Sequence, residues 1–134
     1  MPEMQRKRGE DPMAILSEEA KTIIAQTHPG LVATADKSGR PNVSAKGTFQ
    51  VLDDEHVVFA DVRSPRTIAN LLENPQVSAL VLDPATRHGV RVWGRADVLS
   101  SGELFDRLSR DLAAERKTEA KNFVVVSVDE YVTF

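Results

Sequence analysis

The sequence predicts an α+β domain built on a six-stranded antiparallel barrel, closed or split, with flanking helices, and three observations carry that expectation. Six stretches rich in β-branched residues are bounded by turn chemistry. Most neighbouring stretches are joined by loops short enough for hairpins. Three segments of helical spacing stand at the start, after the third strand and before the last.

Residues 1–12, "MPEMQRKRGEDP", are charged and lack an apolar run, so they read as a poorly ordered tail ahead of a domain spanning 13–134. From Met13 onward Ile15, Leu16, Ala20, Ile23 and Ile24 recur at helical spacing, and the His28-Pro29 pair requires the helix to stop before it. Next come "LVATAD" (31–36), the turn "KSGRP" and "NVSAKGTFQVL" (42–52), a hairpin of two strands. Gly47 within the second is read either as a point of close backbone approach or as a bulge. "DDE" turns the chain into "HVVFAD" (56–61), which runs straight into a helix.

That helix, "SPRTIANLLENP" (64–75), has its start and stop written in. Ser64 is a good N-cap, its hydroxyl able to accept from an orphan N–H, and Pro65 suits the first helical position, where no N–H is needed. Ile68, Leu71 and Leu72 fall on one apolar face, and Asn74-Pro75 marks the end. "VSALVLD" (77–83) and "GVRVWGRADVL" (89–99), joined by "PATRH", form a further antiparallel pair. Ser100 with Glu103 resembles a capping box, opening a helix whose face is Leu104, Phe105, Leu108 and Leu112, through about Glu115. "NFVVVSVDEYVTF" (122–134) is the last strand.

At 134 residues the chain is one domain by length, able to bury roughly two-thirds of its unfolded surface without staples. It has no cysteine, which removes disulfides, thiolate nucleophiles and cysteine-held metal clusters and fits a reducing compartment. The charged N-terminus is no secretory signal, and no apolar run approaches the ~20 residues of a membrane span, so the expected location is the cytoplasm, with no membrane partner. Seventeen basic against 20 acidic residues and 5% aromatics argue against a nucleic-acid surface. His28 reads as a helix terminator and His56 as a strand-end residue. His88 lies in a loop with no metal or base partner beside it in the sequence, and no metal site is expected.

The residues with a chemical signature cluster at the start of the 64–75 helix. Its N-terminal N–H groups form the positive end of a helix dipole, and Arg63, Arg66 and the Thr67 hydroxyl stand beside it. In outline that is an anion site; in the bland reading the arginines serve solubility alone.

The order of these strings, from "LVATADKSGRPNVS" through "VLDDEHVVFADVRSPRTIANLLENPQVSALV" to "VRVWGRADVL", resembles the flavin-binding split-barrel family related to pyridoxamine 5′-phosphate oxidase. The resemblance covers nearly everything after the tail. It implies an α+β fold with a six-stranded antiparallel split β-barrel and flanking helices, paired as a homodimer with FMN at the subunit interface. It implies that Arg63, Ser64, Arg66 and Thr67 hold the flavin phosphate. Ser44, Ala45 and Lys46 would lie along the isoalloxazine and ribityl chain, Ser44 and Lys46 sharing a strand face because they are two apart. Asn70, one turn beyond Thr67, would support the site from behind. Trp93 stands where similar proteins place residues at the dimer interface near the partner's flavin, or else packs in the core. Arg91, two positions earlier, would reach a phosphate or a substrate acid, or else stand as an exposed charge.

The chain departs from a true pyridoxamine phosphate oxidase: it ends at "DEYVTF", its Arg107-Leu108 pair lies inside a predicted helix, and Arg66 stands where many relatives have lysine. The expected function is therefore an FMN-dependent oxidoreductase moving hydride or electrons between flavin and an unassigned small molecule or NAD(P)H. The alternatives are a non-enzymatic FMN-binding electron carrier or flavin store, and a reductase using the deazaflavin F420, for which Arg87, Arg91 and Arg95 would line a groove.

Overall fold

The structure, a computed structural model, describes residues 3–6 and 14–134. Along the chain these form β1 (Glu3–Arg6), α1 (Glu18–Gln26), β2 (Gly30–Ala35), β3 (Pro41–Lys46), β4 (Gln50–Asp53), β5 (His56–Asp61), α2 (Pro65–Glu73), β6 (Gln76–Leu82), β7 (Gly89–Leu99), α3 (Glu103–Arg116) and β8 (Asn122–Thr133). All strands pair antiparallel in one sheet of order β3-β2-β6-β7-β8-β5-β4, with β1 added to β8.

The connectivity forces this sheet to curl. β3 and β4 lie at opposite ends of the strand order, yet only Gly47, Thr48 and Phe49 separate them in the chain. Four Cα steps reach at most about 14 Å, so the two ends must come close, and the sheet closes on itself as a split barrel. The expected single strand over 42–52 is thus two strands meeting at a corner. Thr48 Oγ1 holds the corner by accepting the Ala60 N–H at 2.9 Å.

The barrel is filled by Val32, Val57, Phe59, Val77, Ala79, Val92 and Val126, with α1 and α2 contributing Ile24 and Leu71. α3 covers a second cluster, in which Leu108 and Leu112 pack on Val58, Ala60, Phe123 and Val125 and Phe105 meets Phe123 edge-on at 5.5 Å. Gly94 sits at a register shift between β7 and β8, where a Cβ would run into the Ser127 carbonyl.

Four local expectations are corrected. The first helix starts at Glu18, capped by the Ser17 hydroxyl. Residues 14–17 run extended before it, tied by Ala14 N–H to the Val128 carbonyl and Leu16 N–H to that of Asp54, with Ile15 pointing out to solvent; Met13 lies outside the described residues. Ser100 and Glu103 form no capping box, because Gly102, at a φ of 108°, is the residue that enters α3. Leu72 is 72% exposed, and the buried face of α2 is Thr67, Asn70 and Leu71 instead, because the bonds of Thr67 to Asn42 and of Asn70 to Thr34 set that side of the helix on the sheet. Finally, Glu3–Arg6, inside the stretch read as a tail, pair with β8 as β1; main-chain pairing to a strand edge requires no apolar side chains, while residues 1, 2 and 7–13 lie outside the described residues.

Candidate functional site

The site follows from which way the β2–β3 hairpin presents its side chains. Register pairs Val32 with Ser44, Thr34 with Asn42 and Gly30 with Lys46, so Asn42, Ser44 and Lys46 share the inner face of β3, toward α2. The facing side of α2 is polar as well, carrying Thr67 and Asn70, with Ser64 at its start. A polar seam results. Asn70 Nδ2 donates to Thr34 Oγ1 at 3.1 Å, Asn42 Nδ2 to Thr67 Oγ1 at 3.5 Å, and Lys46 Nζ to Ser64 Oγ.

Ser64 is the N-cap of α2, but its hydroxyl makes no capping bond to the helix. Lys46 holds that hydroxyl, and Asp61 takes the cap's own N–H through Oδ1 at 2.9 Å. Pro65 occupies the first helical position as expected. The N–H groups of Arg66 and Thr67, in the first turn, precede the first intrahelical bond, from Ile68 to the Ser64 carbonyl, and so have no acceptor within the helix. Arg63 and Arg66 project into solvent at the same end, Arg66 lining an open groove of about 490 Å³ with Asp36, Arg40, Asn42 and Glu73.

Lys46 is only 7% exposed, with Nζ 5.8 Å from the centre of the Phe59 ring. Burial pulls its ammonium below the ordinary lysine range, and the charge of Asp61 opposes that pull. A buried lysine bonded to a hydroxyl at a helix N-terminus is a donor set suited to a tetrahedral anion: one ammonium, two hydroxyls, two unpaired N–H groups and two guanidinium groups at the rim.

The structure therefore brings Ser44, Lys46, Ser64, Thr67 and Asn70 to one seam, with Arg63 and Arg66 at its mouth. Ala45 faces the other way, paired with Leu31 on the outer surface of the hairpin, so only its backbone borders the seam. Arg91 and Trp93 also stand apart. Trp93 pairs with Ser78 and Arg91 with Leu80 on the outer face of β6–β7, with the Arg91 guanidinium 6.0 Å from the Trp93 ring. Trp93 is half-buried on that outer surface, and Val92 beside it points inward.

Four participants lie outside the set expected from the sequence: Thr34, Asn42, Asp61 and Asn122. Asn42 does carry a signal, since it extends the alternation of Ser44 and Lys46 by one step. Asp61, three residues before Ser64, is placed to take its N–H, as turn aspartates do. Thr34 and Asn122 emerge only from strand register.

Residues 16–132 match the family described as pyridoxamine 5′-phosphate oxidase. The uncharacterized protein MJ0282 of Methanocaldococcus jannaschii is 34% identical over 102 residues, which are 74% of this chain and 68% of that one. Among solved structures, HupZ from Group A Streptococcus superposes with a TM-score of 0.79 at 23% identity, covering 85% of this chain and 90% of that one. An FMN-binding protein from Syntrophomonas wolfei superposes with a TM-score of 0.77 at 23% identity, covering 87% and 84%.

Proposed function

The chain belongs to the pyridoxamine 5′-phosphate oxidase family, the flavin-binding split barrels, and from that premise we propose that it binds FMN with the phosphate at the start of α2 and acts as an oxidoreductase on a small-molecule substrate. The observation that carries this reading is Lys46: a lysine is buried only at a cost, and this one is buried against the Ser64 hydroxyl at a helix N-terminus. An arriving anion offsets that cost.

FMN supplies hydride and electron transfer through its ring when bound. The residues of this chain hold and orient it. Lys46, Ser64 and Thr67 would take the phosphate oxygens with the N–H groups of Arg66 and Thr67, Arg63 and Arg66 would close the charge at the rim, and Ser44 would border the ribityl chain. Asn70 acts from behind by fixing α2 on Thr34.

The subunit interface of this reading is the outer face of the same hairpin. Leu31, Ala33, Ala35, Pro41, Val43 and Ala45 all point outward there, with Val43 66% and Leu31 42% exposed. Six adjoining apolar positions on a surface suit a second copy of the chain, and Trp93 and Arg91 lie on the same outer sheet face. F420 is less well served, because Arg91 and Arg95 stand on this outer face rather than along the seam.

A flavin carrier without turnover is the second reading. It is favoured by one observation: the buried titratable residues of the seam, Lys46 and Asp61, are both already tied to structural partners. The visible spectrum of the purified protein, with mass spectrometry of what heat releases, tests the cofactor: FMN supports the reading, and a protein that neither carries nor takes up flavin sinks it. Steady-state turnover with NADH or NADPH then separates enzyme from carrier.

A further inference from the structure

Asp61 is the one buried acid among the described residues, and the FMN reading leaves it without a role. It ends β5 at the point where three segments meet. Its Oδ1 accepts the Ser64 N–H at 2.9 Å, its Oδ2 accepts Asn122 Nδ2 at 2.8 Å, and its main-chain carbonyl accepts the Lys121 N–H at 2.8 Å. Both carboxylate oxygens are thus engaged behind the helix start, at the N-cap and at β8, and the N–H groups of Arg66 and Thr67 stay free for a ligand.

The charged surroundings of Lys46 are few. On β5 the Phe59 ring lies 5.8 Å from its Nζ, at the head of α2 the neutral Ser64 hydroxyl accepts from it, and on β2 Gly30 is its register partner, while Arg63 and Arg66 lie in solvent. Ser64 joins Lys46 to Asp61, its N–H donating to Asp61 and its hydroxyl accepting from Lys46, and the charge of Asp61 opposes the downward pull of burial on the ammonium.

We propose that Asp61 is the positioning residue of the anion site: it fastens the β5–α2 turn to β8 and sets its carboxylate across Ser64 from the Lys46 ammonium that receives the phosphate. The inference rests on the FMN reading for its ligand, but the coupling of Asp61 to Lys46 belongs to the protein alone. Because burial already draws the Lys46 ammonium below its usual range, losing the opposing carboxylate draws it further down.

Asp61→Asn keeps an acceptor for the Ser64 N–H and removes the charge. Side-chain NMR titration of Lys46 in the ligand-free protein is expected to show a lower midpoint in Asp61→Asn than in the natural protein; an unchanged midpoint overturns the proposal. In FMN titrations from about pH 7 to about pH 9, the variant is expected to lose about tenfold more affinity than the natural protein, the order of one charge-assisted contact. Equal losses overturn it. Should Asp61→Asn not fold, Asn122→Ala decides: it frees Asp61 from β8 while leaving the carboxylate in place, so FMN affinity at about pH 7 should fall, and an affinity equal to that of the natural protein overturns the proposal. If the natural protein takes up no FMN, the functional reading fails while the ligand-free titration still judges Asp61.

Discussion

The two faces of the β2–β3 hairpin are the reverse of what folding alone would make. The inner face, covered by α2, carries Thr34, Asn42, Ser44 and Lys46 beside Val32, whereas the outer face, open to solvent, carries Leu31, Ala33, Ala35, Pro41, Val43 and Ala45. A half-buried antiparallel pair ordinarily turns its apolar side inward and its polar side to water. On β3 the alternation is intact and its sense is inverted, while β2 still turns Val32 into the core. On the proposed reading the inner face turns its polar groups toward a phosphate at the start of α2, and the outer face turns its apolar area toward a second copy of the chain.

The largest effect expected from breaking this contrast is on the outer face. Val43→Glu sets a charge in the middle of the apolar patch and should weaken the proposed pairing of two copies by roughly a hundredfold, ~3 kcal/mol. Sedimentation velocity across a concentration series reads this directly, with the far-UV circular dichroism spectrum as the control for folding.

The inner face comes next. Lys46→Met removes the buried ammonium and should lower FMN affinity by ~1.5–3 kcal/mol, whereas Arg66→Ala, at a solvent-exposed position, should cost only about 0.2–1 kcal/mol. Equal losses in the two titrations would mean that rim charge, not the seam, does the holding. Asn70→Ala leaves the buried Thr34 hydroxyl without its partner and should destabilise the fold by about 1–2 kcal/mol in urea, with less effect on affinity than Lys46→Met.

The smallest effect lies in the hairpin's own turn. The Ser38 hydroxyl, then the Arg40 N–H, hold the Asp36 carboxyl below its usual range, with Asp36 Oδ1 accepting from Ser38 Oγ at 2.6 Å and from Arg40 N–H at 3.0 Å. A depressed carboxyl contributes stability that is complete above its unfolded value and is lost as pH falls through its folded one. Thermal melts of the natural protein and Asp36→Ala should therefore differ slightly at neutral pH and converge in acid.

Much of the fold was legible because it rests on local chemistry. The "KSGRP" and "DDE" turns, Pro65 at the head of α2 and the apolar face of Leu108 and Leu112 each declare themselves within a few residues. What was not legible depends on long-range register. The break at Gly47–Phe49 exists because the sheet curls, and Leu72 stays outside because Thr67 and Asn70 bond to Asn42 and Thr34 on the hairpin and fix which side of α2 faces it. The same limit applies at the site. Arg63, Ser64, Arg66 and Thr67 lie within five residues and are readable, and the alternation of Ser44 and Lys46 gave their common face. The clasp of Asp61 by Asn122 joins residues 61 apart in sequence, and no spacing rule reports it.

The central claim, that the seam beneath α2 is built for the phosphate of a flavin, is tested most directly by titrating the protein with FMN and with riboflavin under identical conditions and following flavin fluorescence. The two ligands share the ring and the ribityl chain and differ in the phosphate alone. FMN should bind at least about a hundredfold more tightly, the order of two charge-assisted contacts. Equal affinity for the two would contradict the account, leaving Lys46 and the start of α2 with no anion to hold.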